Sequence, residues 1–258
     1  MSTTELLQIP VEVHKYLEKV GAYEKVKNWI MRKTAYPVIV LGASGVGKTS
    51  LIKTLFGEPA RIRRQDRSDE VKEITAKLEK KLFIKLIDTP GEQQHQAKRG
   101  EALRKAMKFK SVGIINVVAY GYHEGSSPKD EAVTPRGKPS GEFLEKRREI
   151  ERELLKEWVH LLCGAGGPAH WVTTVTTKAD LWWEKLTDQP VVEYYKREPY
   201  RSALAEAAAL PHSVKSYAST HHLFYGSIPM SGYYSDEQRI EDHNALIAHI
   251  LEKASDHG

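Results

Sequence analysis

Gly42, Gly45, Gly47, Lys48 and Thr49 fall within the eight residues G-A-S-G-V-G-K-T, directly after the apolar run Y-P-V-I-V-L. That composition suits the capture of an oxyanion. Glycines let a backbone wrap closely without Cβ clashes. The N–H groups of Ala43, Ser44, Gly45, Val46 and Gly47 can then turn inward as a nest. A helix beginning near Lys48, with Ser50 in its first turn, adds the positive end of its dipole. Lys48 can reach the outer oxygens of a polyphosphate, and the Thr49 hydroxyl can ligate Mg²⁺. The spacing is G-x-x-x-x-G-K-[ST], and its expected flanks are a strand before and a helix after.

A second group, Asp88-Thr89-Pro90-Gly91, ends another apolar run. Asp88 can hold Mg²⁺ through a water, and the Gly91 N–H can approach a γ-phosphate. Alone, D-T-P-G is also a good turn. A third group, Thr177-Lys178-Ala179-Asp180, follows the run H-W-V-T-T-V. An Asp180 carboxylate can accept from guanine N1–H and its amino group together. Adenine offers neither proton and would leave a desolvated carboxylate unpaired. The Lys178 stem can lie against a base plane, and Thr177 can tie this loop to the phosphate loop. Alone, T-K-A-D also reads as a helix start capped by Asp180. The fourth group is Ser231-Gly232, where a Gly232 N–H can donate to guanine O6. The order of the four groups, each at a strand's exit, decides in favour of a guanine nucleotide.

These groups need elements to carry them. Apolar periodicity predicts helices over 11–33, divided near Gly21, then a buried strand at 36–42 and a helix at 48–57. Residues 71–88 alternate apolar and charged side chains about Lys80-Lys81, which predicts an antiparallel hairpin at a sheet edge. The run 111–120 predicts a fully buried strand. Residues 121–142 are rich in Gly, Pro, Ser and charge and predict a long loop. A helix follows, expected to bury Ile150, Leu154, Trp158 and Leu161. Helical segments are expected at 190–210, broken near Pro199, and a strand at 224–232. The last helix, 236–254, is expected to turn Ile240, Leu246, Ile247 and Ile250 inward. Strands alternating with helices give an α/β fold with a mostly parallel sheet.

The chain has 258 residues, a formal charge of +5 and one cysteine, Cys163. No intramolecular disulfide can form, which fits a reducing compartment. The first 35 residues mix charges throughout, unlike a signal peptide, and no apolar stretch is long enough to span a bilayer. The expectation is a soluble, cytoplasmic protein. The N-terminal amphipathic segment is read as packing on the domain rather than anchoring to a membrane. The basic run 98–110 is read as the solvated face of a helix, so nucleic acid is not supported as a partner. His221-His222 lack a spaced third ligand and are read as loop residues.

Residues 36–254 resemble a Ras-like G domain of the translation-factor-related GTPases, and the D-T-P-G and I-P-M-S-G forms are most similar to Era-like members. The resemblance implies a P-loop three-layer α/β/α sandwich with a mostly parallel six-stranded sheet and one antiparallel edge strand. It implies residues 1–35 as a helical extension and 36–258 as the G domain, with an inserted loop at about 121–142. It also implies binding of GTP and Mg²⁺, slow hydrolysis to GDP, and a nucleotide-dependent switch with a protein effector or activator. By position, Lys48 and Thr49 serve phosphate and metal, Asp88 and Gly91 metal and γ-phosphate, and Thr177, Lys178, Asp180, Ser231 and Gly232 guanine.

Several positions depart from the family pattern. Thr177 stands where asparagine is commoner, and Gly232 where alanine is usual. The switch threonine for Mg²⁺ has only Ser68 and Thr75 as candidates. Glu92 follows D-T-P-G where Ras-type proteins place glutamine; Gln93, Gln94 and His95 come next. Glu92 and Gln93 are the nearest candidates for orienting water. Arg67 and Arg136 are the internal candidates for an activating arginine, and self-association is the alternative. A GTP-binding scaffold with little hydrolysis is the rival reading. A P-loop ATPase or kinase is disfavoured by T-K-x-D.

Overall fold

The computed structural model describes residues 11–31, 36–55, 73–78, 81–88, 96–122, 139–164, 167–183, 189–217 and 234–257. Two strands form its centre. β1 (Tyr36–Leu41) and β4 (Val112–Val118) are buried at every position, as expected of apolar strands covered on both faces. They pair in parallel, with Val38 opposite Gly113 and Leu41 opposite Asn116. β3 (Lys81–Asp88) pairs in parallel with the other edge of β1, and β5 (Ala169–Thr176) with the far edge of β4. β6 (His212–Ser216) continues in parallel beyond β5. β2 (Glu73–Leu78) runs antiparallel to β3, with an irregularity between Ala76 and Lys77. The order across the sheet is β2-β3-β1-β4-β5-β6. Four pairings are thus parallel and one is antiparallel.

Helices connect and cover these strands. α1 (Val11–Lys19) and α2 (Tyr23–Met31) precede the sheet. Between them Gly21 takes φ +70°, a left-handed break that suits glycine. Val13, Leu17, Val26, Trp29 and Ile30 are buried, and both helices pack against α9 (Asp236–His257). α3 (Lys48–Leu55) follows the phosphate loop and α4 (Gln96–Ala106) follows β3. α5 (Gly141–Cys163) starts at a Ser140 cap whose hydroxyl accepts from the Phe143 N–H at 3.2 Å. α6 (Ala179–Trp182), α7 (Gln189–Lys196), α8 (Tyr200–Ala203) and a 3-10 turn (Ala205–Ala207) lie between β5 and β6. Among the described residues, no helix is long and apolar enough to cross a membrane.

One glycine is required by packing at the centre. A Cβ on Gly113 would lie 2.0 Å from the Trp171 ring, so β4 can pass that fully buried indole only with glycine. Trp171 also lies nearly parallel to Tyr36, with centroids 6.4 Å apart.

Several sequence expectations change. In α5, Ile150 and Leu161 are exposed, at 45% and 42%, while Leu154 and Trp158 are buried. The buried stripe instead runs through Leu144, Arg147, Glu151, Leu155, Val159 and Leu162. Two charged residues occupy it, which hid its true phase. Ile240 is exposed rather than inward, while Leu246 and Ile250 are buried. The strand beyond β5 is His212–Ser216, a polar pentapeptide of irregular burial whose sequence carries no strand signal. The strand expected at 224–232, and residues 123–138 of the loop expected at 121–142, lie outside the described residues, while the end of that loop is shortened by α5 starting at Gly141.

Candidate functional site

The G-A-S-G-V-G-K-T segment leaves β1 and closes into α3. Gly42, Gly45 and Gly47 take φ of +141°, +74° and +95°. Side chains are strongly disfavoured in such conformations. At Gly42 space decides as well: a Cβ would meet the Val117 carbonyl oxygen at 2.2 Å. The loop is therefore held against the end of β4. Ala43 and Val46 are buried beneath it, while Ser44, Gly47, Thr49 and Ser50 are half-buried and Gly45 is exposed.

Lys48, the first residue of α3, is 6% exposed. Its ammonium donates to the Gly42 carbonyl at 2.8 Å and the Ala43 carbonyl at 2.9 Å, so it is folded back over the loop's first two residues. A cation so placed can exchange carbonyl partners for phosphate oxygens with little movement.

Asp88 is the last residue of β3, and its Cα lies opposite Val40, two residues before Gly42. The topology thus brings the end of β3 beside the loop and the first turn of α3. Thr49 and Asp88 offer a hydroxyl and a carboxylate, the hard oxygen donors that Mg²⁺ takes together with waters and phosphate oxygens. No group of three or more His, Cys, Asp or Glu side chains that could hold a metal ion occurs among the described residues. Gly91, Glu92 and Gln93 lie outside the described residues, as do Ser68, Arg67, Arg136, Ser231, Gly232 and His221-His222. Thr75 lies in β2, within the hairpin, where it pairs with Lys85.

The T-K-A-D group leaves β5 beside the phosphate loop. Thr177 is 4% exposed. Its hydroxyl lies 2.5 Å from the Val46 carbonyl and 2.9 Å from the Val118 carbonyl, and donates its proton between them. The Thr177 N–H also donates to Val118 O at 2.8 Å. The hydroxyl therefore joins the phosphate loop, the end of β4 and the end of β5, the tie expected from the sequence. Lys178 adopts the left-handed conformation, φ +57°, and its ammonium donates to the Tyr122 carbonyl at 2.7 Å. Asp180 lies in α6, and Trp182 donates its indole N–H to the Thr177 carbonyl at 2.7 Å.

Sequence reasoning missed the support beneath these loops. Glu151, 3% exposed, receives the Ala119 N–H at 2.9 Å and the Tyr195 hydroxyl at 2.9 Å. Burial raises its carboxyl to about 7 against the lowering effect of these donors. The only available signal was an acidic residue on the apolar side of a helix.

Residues 37–152 match the model of a protein family described as "50S ribosome-binding GTPase". No curated protein matches the chain. Among solved structures, the crystal structure of a dimerization-deficient mutant of Toc33 from Arabidopsis thaliana is similar. It is 14% identical, with 90% of this chain and 91% of that one covered, at a TM-score of 0.50. At that identity the likeness concerns the fold. The chain has the α/β fold of the P-loop GTPases, and the matched segment together with that fold supports a GTP-binding protein.

Proposed function

We propose that the chain binds GTP with Mg²⁺, hydrolyses it slowly to GDP and phosphate, and acts as a nucleotide-dependent switch. The observation that carries this reading is the Thr177 hydroxyl against the Val46 carbonyl at 2.5 Å. It ties a glycine cradle suited to phosphate to a T-K-x-D loop suited to guanine, as one nucleotide spanning both requires. The D-T-P-G and I-P-M-S-G forms favour an Era-like relationship within the class.

In this reading the loop N–H groups from Ala43 to Thr49 hold the β-phosphate. Lys48 turns its ammonium from the loop carbonyls to the β- and γ-oxygens. Thr49 and Asp88 would hold Mg²⁺, which supplies positive charge to the β- and γ-oxygens. Gly91 donates to the γ-phosphate, Asp180 pairs with guanine N1–H and the amino group, and Gly232 donates to O6. Ser231 shapes that last turn.

Hydrolysis needs a water held in line with the γ-phosphate. Glu92 is ill suited to that task, because an ionised carboxylate repels the γ-phosphate. Gln93 or an activating partner supplies the missing group, with Arg67 and Arg136 as internal sources of positive charge. The similar Toc33 structure is that of a dimerization-deficient mutant, which makes a second copy of this chain one activator to test. Single-turnover GTP hydrolysis over a wide range of protein concentration is the experiment. A slow rate that climbs with concentration supports activation by self-association. A slow, flat rate that an added partner accelerates supports a hetero-activated switch. A fast, flat rate unaffected by replacing Arg67 and Arg136 contradicts this view of hydrolysis. GTP binding without turnover under any condition returns the chain to a scaffold role.

A further inference from the structure

We propose that Glu151 and Tyr195 are positioning residues for guanine selectivity: together they fix the 119–122 turn on which Lys178 of the T-K-x-D loop is anchored. This rests on the guanine reading of that loop.

The turn leaves β4 with two successive residues in the left-handed region, Tyr120 at φ +51° and Gly121 at φ +85°. A bulky residue holds such a conformation only where its surroundings over-determine it. Here they do. Glu151 Oε1 accepts the N–H groups of Ala119 at 2.9 Å and Gly121 at 3.4 Å. The intervening Tyr120 N–H donates to the Tyr195 hydroxyl oxygen at 3.0 Å. That hydroxyl in turn donates to Glu151 Oε2 at 2.9 Å. Three consecutive backbone donors are therefore consumed by one carboxylate and one phenol from α5 and α7. The next N–H, of Tyr122, closes back onto the Ala119 carbonyl at 2.8 Å. A Cβ on Gly121 would lie 2.6 Å from the Leu144 carbonyl, so the turn is also pressed against the start of α5.

The turn then meets the T-K-x-D loop at two points. Val118 O, just before it, accepts from the Thr177 N–H and hydroxyl. Tyr122 O, at its end, accepts the Lys178 ammonium, and Lys178 is itself left-handed. The direction of the Lys178 stem, and the start of the helix that carries Asp180, thus depend on where Tyr122 O is placed. A buried carboxylate is costly to keep, and here it is held because an apolar side chain would leave the Ala119 and Gly121 N–H groups without an acceptor. Its place under this turn fits a role in aiming backbone groups.

Affinities for GTP, ATP and inorganic tripolyphosphate, with unfolding midpoints without nucleotide, test this. The proteins are the full chain and its Glu151→Ala, Glu151→Gln and Tyr195→Phe variants. Glu151→Ala and Tyr195→Phe are expected to lower the GTP-over-ATP preference about tenfold, one lost hydrogen-bonded anchor's worth, while tripolyphosphate affinity holds. Glu151→Gln, whose amide oxygen can accept the same N–H groups, is expected to restore most of the preference. An unchanged preference in both Glu151→Ala and Tyr195→Phe overturns the proposal. So does a loss of affinity for all three ligands in parallel with a fall in midpoint. If Glu151→Ala does not fold, Tyr195→Phe, which removes one oxygen atom, still decides. A wild-type protein that binds ATP as tightly as GTP fails the guanine reading itself, a result distinct from either of these.

Discussion

The phosphate loop and the turn after β4 meet at Thr177, and they are shaped by different means. The loop is shaped by its own backbone: three glycines at positive φ, and Lys48 bonded to carbonyls five and six residues back. The turn is shaped from afar, by Glu151 thirty to thirty-two positions on and Tyr195 seventy-five positions on. One works through local chemistry and the other through side chains placed by tertiary packing. A cradle for phosphate must bring many N–H groups to one point, which only compact, glycine-rich backbone does. Aiming a loop at a base needs a few fixed anchors, which any element packed nearby can supply.

The largest effect is expected at the locally built region. Lys48→Ala should lower GTP affinity by on the order of a hundredfold, the cost of removing one partner of a buried charge contact. Circular dichroism should report an intact fold, and calorimetric titration the loss of binding. Unchanged GTP affinity and turnover would mean that the loop does not hold the phosphates.

Gly42→Ala comes next. It forces a Cβ onto the Val117 carbonyl at 2.2 Å and a side chain into positive φ. A loss of about 3 kcal/mol in urea unfolding is expected. A neutral outcome would mean that the loop does not press on β4 as described.

Thr177→Val, at the junction, keeps the shape and removes the hydroxyl shared by Val46 O and Val118 O. GTP affinity should fall about tenfold and stability by about 1–2 kcal/mol. Equal affinity in the valine variant would show that the two regions act independently.

The smallest effect lies on the far flank, where another long-range network serves as the control. His249, 8% exposed, sets its Nε2 against the hydroxyls of Thr173 at 3.0 Å and Ser213 at 2.8 Å. Burial, then Lys215 and Lys253, lower its pKa to about 3. A histidine depressed on folding gives stability that is full above its ordinary pKa and is lost as pH falls below it. Stability should therefore drop by up to about 1.4 kcal/mol per pH unit from pH 6.5 toward 3. His249→Gln should lessen that slope, with His212, which desolvation lowers to about 4, supplying part of what remains, and leave GTP affinity at pH 7 unchanged. A changed affinity would mean that long-range networks here are not separable by location.

The same contrast explains what was legible in the sequence. Gly42, Gly47, Lys48 and Thr49 announced themselves because local backbone geometry demands their types at fixed spacing. β1 and β4 were legible because both are apolar throughout, and the structure brings Thr177 to the phosphate loop as its motif implied. Glu151 was not legible, because its partners Ala119, Gly121 and Tyr195 are distant in the chain and it resembles any helical glutamate. Ile150 and Leu161 were misplaced for the same reason: their apolar character suggested a stripe that Arg147 and Glu151 in fact help to fill. β6 was hidden because His212–Ser216 is a polar, partly covered edge that exists by pairing with β5.

The central claim is that one nucleotide, with guanine as its base, bridges the phosphate loop and the T-K-x-D loop anchored on the turn. Asp180→Asn tests it most directly, because the substitution keeps the side chain's shape and exchanges one acceptor oxygen for an amide donor. The measurement is the affinity of the wild type and of Asp180→Asn for GTP and for xanthosine triphosphate, by competition on the same preparation. Guanine donates to the carboxylate, whereas xanthine's C2 carbonyl accepts from the asparagine amide. The predicted result is that the variant loses GTP affinity and gains affinity for xanthosine triphosphate, so that the preference inverts. An Asp180→Asn protein that binds GTP as tightly as wild type and gains nothing for xanthosine triphosphate would contradict the claim, leaving Asp180 as no more than part of a helix start.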